Sequence, residues 1–180
     1  MTVIERRPYT LSVVHALLVV SCAGLFVACS GGEPMNGNQD CAVTGQPTLE
    51  LGVPDPITFL DFTDLERGGD IPLSSNGQTF LAVQLAIRAT NLERFVRIGM
   101  TVTYQPETGP ARTATKDDSA LERLFCRSDE RLYLIPIVAS SEELGDDRDI
   151  QDKTVDVEVT VTDTEGRMVS ATANGVLRRI

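Results

Sequence analysis

Between Thr154 and Thr162 the chain alternates without a fault: Val155, Val157, Val159 and Val161 interleave with Asp156, Glu158, Thr160 and Thr162. A period of two puts every valine on one side of an extended backbone and every polar group on the other. Branching at Cβ further favours the pleated form over a helix. The segment therefore reads as a strand with one face for a core and one for water. Asp163-Thr164-Glu165-Gly166 follows with turn chemistry, and Met168 to Leu177 resumes extended character, which predicts a terminal β-hairpin.

The same habit runs through the middle of the chain. Leu81, Val83, Leu85, Ile87 and Ala89 alternate with Ala82, Gln84, Ala86 and Arg88. After Asn91-Leu92-Glu93-Arg94, the residues Val96, Ile98, Met100, Val102 and Tyr104 oppose Arg97, Gly99, Thr101 and Thr103. These two segments are expected to pair antiparallel. Further strands are expected at Thr48 to Gly52, Ile57 to Phe62, Ala111 to Lys116 and Leu132 to Val138. Ser119-Ala120-Leu121-Glu122 has the Ser-x-x-Glu form of a capping box, which predicts a short helix from Ser119 to about Cys126. Seven or eight strands with short turns and one helix predict an all-β fold over residues 47–180, a single immunoglobulin-like antiparallel β-sandwich.

The first 28 residues have a different character. Arg6 and Arg7 precede an apolar run from Leu11 to Ala28, and Ser30-Gly31-Gly32-Glu33-Pro34 follows Cys29. A positive head, an apolar centre and a small residue before a cut describe an export signal. With Phe26-Val27-Ala28 before Cys29, the segment resembles a bacterial lipoprotein signal peptide. That resemblance implies acylation of the Cys29 thiol, removal of residues 1–28 and stable anchoring through more than one acyl chain. Val19-Val20-Ser21-Cys22 is a competing site, although cutting there would leave apolar Ala23 to Val27 at the new start. An uncleaved membrane span is the other alternative, and the run is short for one. Ser30 after the cysteine is the choice that, in the resembling proteins, permits transfer to the outer membrane; the face occupied is left open. The Arg6-Arg7 pair also resembles a twin-arginine signal, but the rest of that pattern is poor and ordinary secretion is the default. Residues 29–46 read as the lipidated cysteine and a flexible tether, rich in Gly, Asn and Pro.

Composition then excludes several functions. Removing residues 1–28 would leave 152, with 25 acidic against 14 basic side chains. Such a surface repels nucleic acid and anionic lipid headgroups. The only histidine, His15, would leave with the signal, which excludes imidazole-activated nucleophiles and the common His-bearing zinc sites. No Trp is present, so a stacking platform for sugars is disfavoured. Cys41 and Cys126 would be the cysteines left in an oxidising compartment and form the natural disulfide pair, with two free thiols or a metal pair as the alternatives.

The runs Leu49-Glu50-Leu51-Gly52, Gly77 to Leu85 and Val159 to Arg167 are similar to those of uncharacterised lipoproteins of Gram-negative envelopes. The resemblance implies an immunoglobulin-like sandwich at the cell envelope and carries no catalytic residues with it.

Candidate chemistry is sparse. Asp146, Asp147, Asp149 and Asp152 could supply hard oxygen ligands to calcium, although their spacing is not that of an EF-hand and Arg148 lies among them. Asp55, Asp61, Asp64 and Asp70 form a second acidic scatter expected to cap turns or discourage strand-edge pairing. A carboxylate-based hydrolase would need two of these groups at a set separation. Lys116 and Lys153 each adjoin an aspartate, which disfavours them as bases. Arg88 and Arg97 are expected on outward faces of adjacent strands, beside Phe80, Ala82 and Ala86, as a partner surface. The expectation from sequence is a non-catalytic, lipid-anchored envelope protein that binds an unknown protein or envelope ligand or serves a structural role, with no cofactor. A calcium-dependent adhesion or ligand-binding module is the alternative, and a hydrolase stands third.

Overall fold

A computed structural model describes residues 41–75, 81–145 and 147–180. The segment read as an export signal, Cys29, Phe80 and Asp146 lie outside the described residues. The described chain is nearly all β. Its strands are β1 (Thr48–Pro54), β2 (Phe62–Asp64), β3 (Gly69–Ser75), β4 (Leu81–Thr90), β5 (Phe95–Tyr104), β6 (Arg112–Lys116), β7 (Leu121–Arg123), β8 (Phe125–Cys126), β9 (Leu132–Ser140), β10 (Thr154–Asp163) and β11 (Met168–Arg179). A 3-10 turn, Glu142–Leu144, and one α-helical turn, Asp147–Ile150, interrupt them between β9 and β10. Among the described residues no helix is long and apolar enough to cross a membrane, which says nothing of strands.

The strands form one large mixed sheet. Its main path runs β2-β1-β4-β3-β11-β10-β5-β6, with β9 on the other edge of β4, β8 on β9, and β7 on β5. The alternation read from the sequence sets the core. Val96, Ile98, Met100 and Val102 of β5 and all four valines of β10 are at most 1% exposed, while the residues between them face outward or lie half-buried. The terminal hairpin pairs Thr154↔Val176 through Thr162↔Met168, closed by Gly166 at φ 81. Positive φ there is the conformation glycine adopts without strain.

Five features differ from the sequence reading, each for a physical reason. The segments 81–89 and 96–104 do not pair: β4 bonds to β1, β3 and β9, and β5 to β6, β7 and β10. Asn91 at φ 58 turns the chain, and Leu92, 1% exposed, draws the connection into the core instead of looping it back. The supposedly wet face of β4 is largely covered, with Ala82, Gln84 and Ala86 all buried. Two small alanines leave room for cover, and the Gln84 side-chain nitrogen finds the Ser74 hydroxyl, so that donor is satisfied on burial.

Residues 57–61 are not a strand and β2 begins only at Phe62, because the Asp55 carboxylate takes the amides of Ile57 at 2.9 Å and Thr58 at 2.8 Å and closes a turn. The stretch 119–126 is not a helix. The Ser119 hydroxyl donates to Asp117 at 2.8 Å instead of capping a helix, and the chain extends into β7 and β8, paired to β5 and β9. The sheet is mixed, not purely antiparallel, because β3 runs parallel to β11 from Gly175↔Gly69 to Arg179↔Leu73. A Cβ on Gly175 would lie 2.7 Å from the Gly69 carbonyl oxygen and 2.6 Å from the Ile71 side chain, so this close parallel contact depends on the missing side chain.

The end of the segment read as a tether is fastened to the sheet. Cys41 is bonded to Cys126, with Cα atoms 5.6 Å apart, and the amides of Thr44 and Gly45 both donate to the Asn91 side chain at 3.1 Å.

Gly52 governs how β2 and its loop lie on β1. A Cβ there would approach the Thr63 carbonyl oxygen to 2.4 Å and the Phe62 ring to 2.6 Å. Gly52→Ala should therefore cost about 1 to 3 kcal/mol, as overpacking does. Urea unfolding checks this, and an unchanged midpoint would show that the ring moves aside freely.

Candidate functional site

The outer face of β5, β10 and β11 carries a graded set of side chains, ordered by register. Nearest the hairpin turn, Leu121, Arg97, Thr162 and Met168 stand opposite one another across β7, β5, β10 and β11. The next row holds Gly99, Thr160 and Ser170, with the two hydroxyls 2.8 Å apart. Then come Thr101, Glu158 and Thr172, and finally Thr103, Asp156 and Asn174. A strand advances about 3.3 Å per residue, so Glu158 lies roughly 13 Å and Asp156 roughly 20 Å from the Thr162 row. One end of this face is cationic and apolar, the other acidic and hydroxylic.

The acidic end forms an open cleft of about 620 Å³, within the range of small-ligand sites. Asp156, Glu158, Thr101, Thr103 and Asn174 make its floor and Arg67 contributes from the β2–β3 connection, where the Gly68 amide is bonded to the Asn174 carbonyl at 2.9 Å. The Asn174 side-chain amide donates to Asp156 at 2.9 Å and fixes that carboxylate. Two carboxylates on one strand, side by side with hydroxyls and an amide, can accept hydrogen bonds from amines and hydroxyls. Sequence reasoning passed over this cleft. The alternation did place Asp156 and Glu158 on the wet face, but only the sheet order sets Thr101, Thr103 and Asn174 beside them.

The residues singled out from sequence have other employment. Arg88 is held by Glu50, and its Nη2 donates to Asp64 at 2.8 Å. Its guanidinium also lies 4.5 Å from the centre of the Phe62 ring. Phe62 meets Tyr133 edge-on at 5.9 Å, and Arg127 covers Tyr133 at 4.5 Å while donating to the Leu60 carbonyl at 2.5 Å. Burial, together with the Asp129 carboxylate that accepts its proton, pushes the Tyr133 phenol up. These contacts latch the 55–61 loop onto β1, β4 and β9. In that loop Ile57, Phe59 and Leu60 are 85%, 45% and 57% exposed. Hydrogen bonds from the Thr58 and Ile57 amides hold the Asp55 carboxyl below the usual carboxylate range. Arg88 and Arg97 thus lie on strands that do not pair and do not share one surface.

The acidic residues are likewise distributed. Asp61 meets Arg127 at 3.4 Å, and Asp70 accepts from Arg178 at 3.1 Å. Asp152 is also bound by Arg178, whereas Asp149 borders a separate shallow pocket beside Arg112 and Lys153. Among the described residues no three metal-ligating side chains converge. The charge of Asp152 is already met by a guanidinium.

Among the described residues Asp163 is the one carboxylate with its side chain wholly out of solvent. It accepts from the amides of Glu93 at 3.1 Å, Glu165 at 3.0 Å and Arg167 at 2.9 Å, and from Arg167 Nε at 2.7 Å. Burial pushes this carboxyl up, but the Glu93 and Arg167 amides and the Arg167 guanidinium outweigh it, so it titrates below the ordinary range. It ties the hairpin turn to the β4–β5 connection.

No protein-family model matches this chain, and no curated protein matches it.

Proposed function

We propose that this chain is an exported, lipid-anchored protein of the outer membrane whose immunoglobulin-like β-sandwich acts without catalysis, as a binding module. The observation that carries the binding role is the cleft over Asp156 and Glu158. It is concave and of ligand size, and the carboxylates and hydroxyls on its floor offer acceptors to a small ligand bearing amine or hydroxyl groups. Support for export comes from the Cys41–Cys126 disulfide, a bond that persists in oxidising compartments. Support for anchoring comes from the signal-like segment ending at Cys29. The calcium-dependent alternative gains nothing from the geometry, since Asp152 is already engaged by Arg178.

Two measurements test this. Mass spectrometry of the mature protein should find residue 29 as the first residue, carrying acyl chains, and Cys29→Ser should fail to acquire them. A peptide still beginning at Met1 would overturn the anchor. For the cleft, a lysine-containing tripeptide titrated onto the full chain should shift backbone resonances of β5, β10 and β11. Asp156→Asn with Glu158→Gln should weaken that response at least tenfold, and shifts that persist in the double variant would remove the cleft as the site.

A further inference from the structure

The cationic end of the β5–β10–β11 face stands apart in an acidic protein. Phe95, Leu121 and Met168 are 48%, 54% and 66% exposed, and Arg97 and Arg123 are exposed beside them. Register puts them together: Phe95↔Arg123 and Arg97↔Leu121 pair directly, and Met168 joins through Thr162. In the neighbouring row Asp118 lies over Gly99, its Cβ 3.9 Å from where a side chain at Gly99 would begin, and the carboxylates borne by β10 itself begin at Glu158. The chain comes in at this end. Arg123 lies three residues before Cys126, which is bonded to Cys41, and pocket walls formed by residues 43–47 adjoin Arg167 and Met168.

We infer that the face made by Phe95, Arg97, Leu121, Arg123 and Met168 docks on the anionic phospholipid leaflet that holds the acyl chains of Cys29. This rests on the proposed lipid anchor. Only 11 residues lie between Cys29 and Cys41, a span of at most about 40 Å. The face is therefore held close to the leaflet, where a weak surface contact is favoured by high effective concentration. Arginines attract anionic headgroups, and an aromatic with two aliphatic side chains suits the interfacial layer. The carboxylates and the cleft lie on the same side of the sheet, roughly 13 to 20 Å further along it.

The absence of Trp supplies the test. The full mature chain carrying Phe95→Trp, with unfolding checked against wild type, is reconstituted into vesicles of phosphatidylcholine alone or with phosphatidylglycerol. Emission should shift to the blue and be quenched by spin-labelled lipid only where phosphatidylglycerol is present. Arg97→Glu with Arg123→Glu should reduce the quenching about tenfold or more while the chain stays with the vesicles. Retention without quenching would overturn the docking face and leave the anchor standing. Failure of retention on neutral vesicles would overturn the anchor and with it the tethering on which the docking rests, an outcome distinct from retention without quenching. Equal quenching in both lipids, or shielding that rises with protein concentration without vesicles, would overturn the face as a lipid contact, the latter by revealing a second copy upon it.

Discussion

Replacing Cys41 and Cys126 together by alanine is expected to lower stability by about 4 to 5 kcal/mol. The bridge spans 85 residues of sequence, and closing a loop of that length restricts the unfolded chain by this amount on the chain-entropy relation. The loop contains β1 to β7 and five of the ten strand pairings among the described residues, so each of those five gains from the restricted search. The native side adds to the effect, because Cys126 is 1% exposed and packs with Leu124 and Leu132 in the core. The residues 41–46 also lose their covalent fastening and keep only such contacts as the two amides on Asn91. Thermal unfolding should fall by about 10 to 20 °C, and reducing agent should reproduce much of that fall in the wild-type chain. A double variant within about 1 kcal/mol of wild type would show that the sheet does not depend on the bridge.

Asp163→Ala is expected to cost about 2 to 4 kcal/mol. Three backbone amides and Arg167 Nε converge on this one carboxylate, and removing it leaves those amides without their acceptor in a half-buried turn. The β10–β11 turn and the Glu93 segment would lose their shared anchor, so the change should loosen two connections at once. The pH dependence has a fixed sign. The folded-state pKa lies below the unfolded value near 3.9, so the carboxylate stabilises the fold above that pH, and the contribution disappears as pH falls through the folded pKa. Wild type should therefore lose stability on acidification below about pH 4, and Asp163→Asn should show a flatter profile over the same range. Parallel profiles for the two chains would remove Asp163 as the source.

The elements legible in advance were those whose information is local. Thr154 to Thr162 alternates so regularly that strand, inward face and following turn were all readable, and the structure buries those four valines. The segments 81–89 and 96–104 were equally readable as strands, yet their partners were not. A period of two says which side chains share a face and nothing about which edge meets which, and the deciding residue, buried Leu92, looks like any apolar loop residue in one dimension. The capping-box pattern at Ser119 misled for a related reason. Ser119 had a nearer acceptor in Asp117, and the edges of β5 and β9 offered backbone pairing that a lone helical turn could not match. Asp55 likewise looked like a simple turn former, while the turn it builds displaced an expected strand and left Ile57, Phe59 and Leu60 in solvent.

The candidate site divides along the same line. The one histidine, His15, lies outside the described residues, and alternation already placed Asp156 and Glu158 on a wet face. Taken alone, then, the order of residues determined the strand-forming segments, their greasy and wet sides, and the acidic character of the molecule, since all of these depend on side-chain identity at spacings of one or two. Tertiary structure alone decided that β5 lies between β10 and β6, that Asp163 fastens two distant connections, and that arginines gather at one end of a face whose other end is a carboxylate cleft. Those outcomes turn on which strand edges hydrogen-bond and in what register, a competition among many nearly equivalent pairings that is resolved only when the whole core closes.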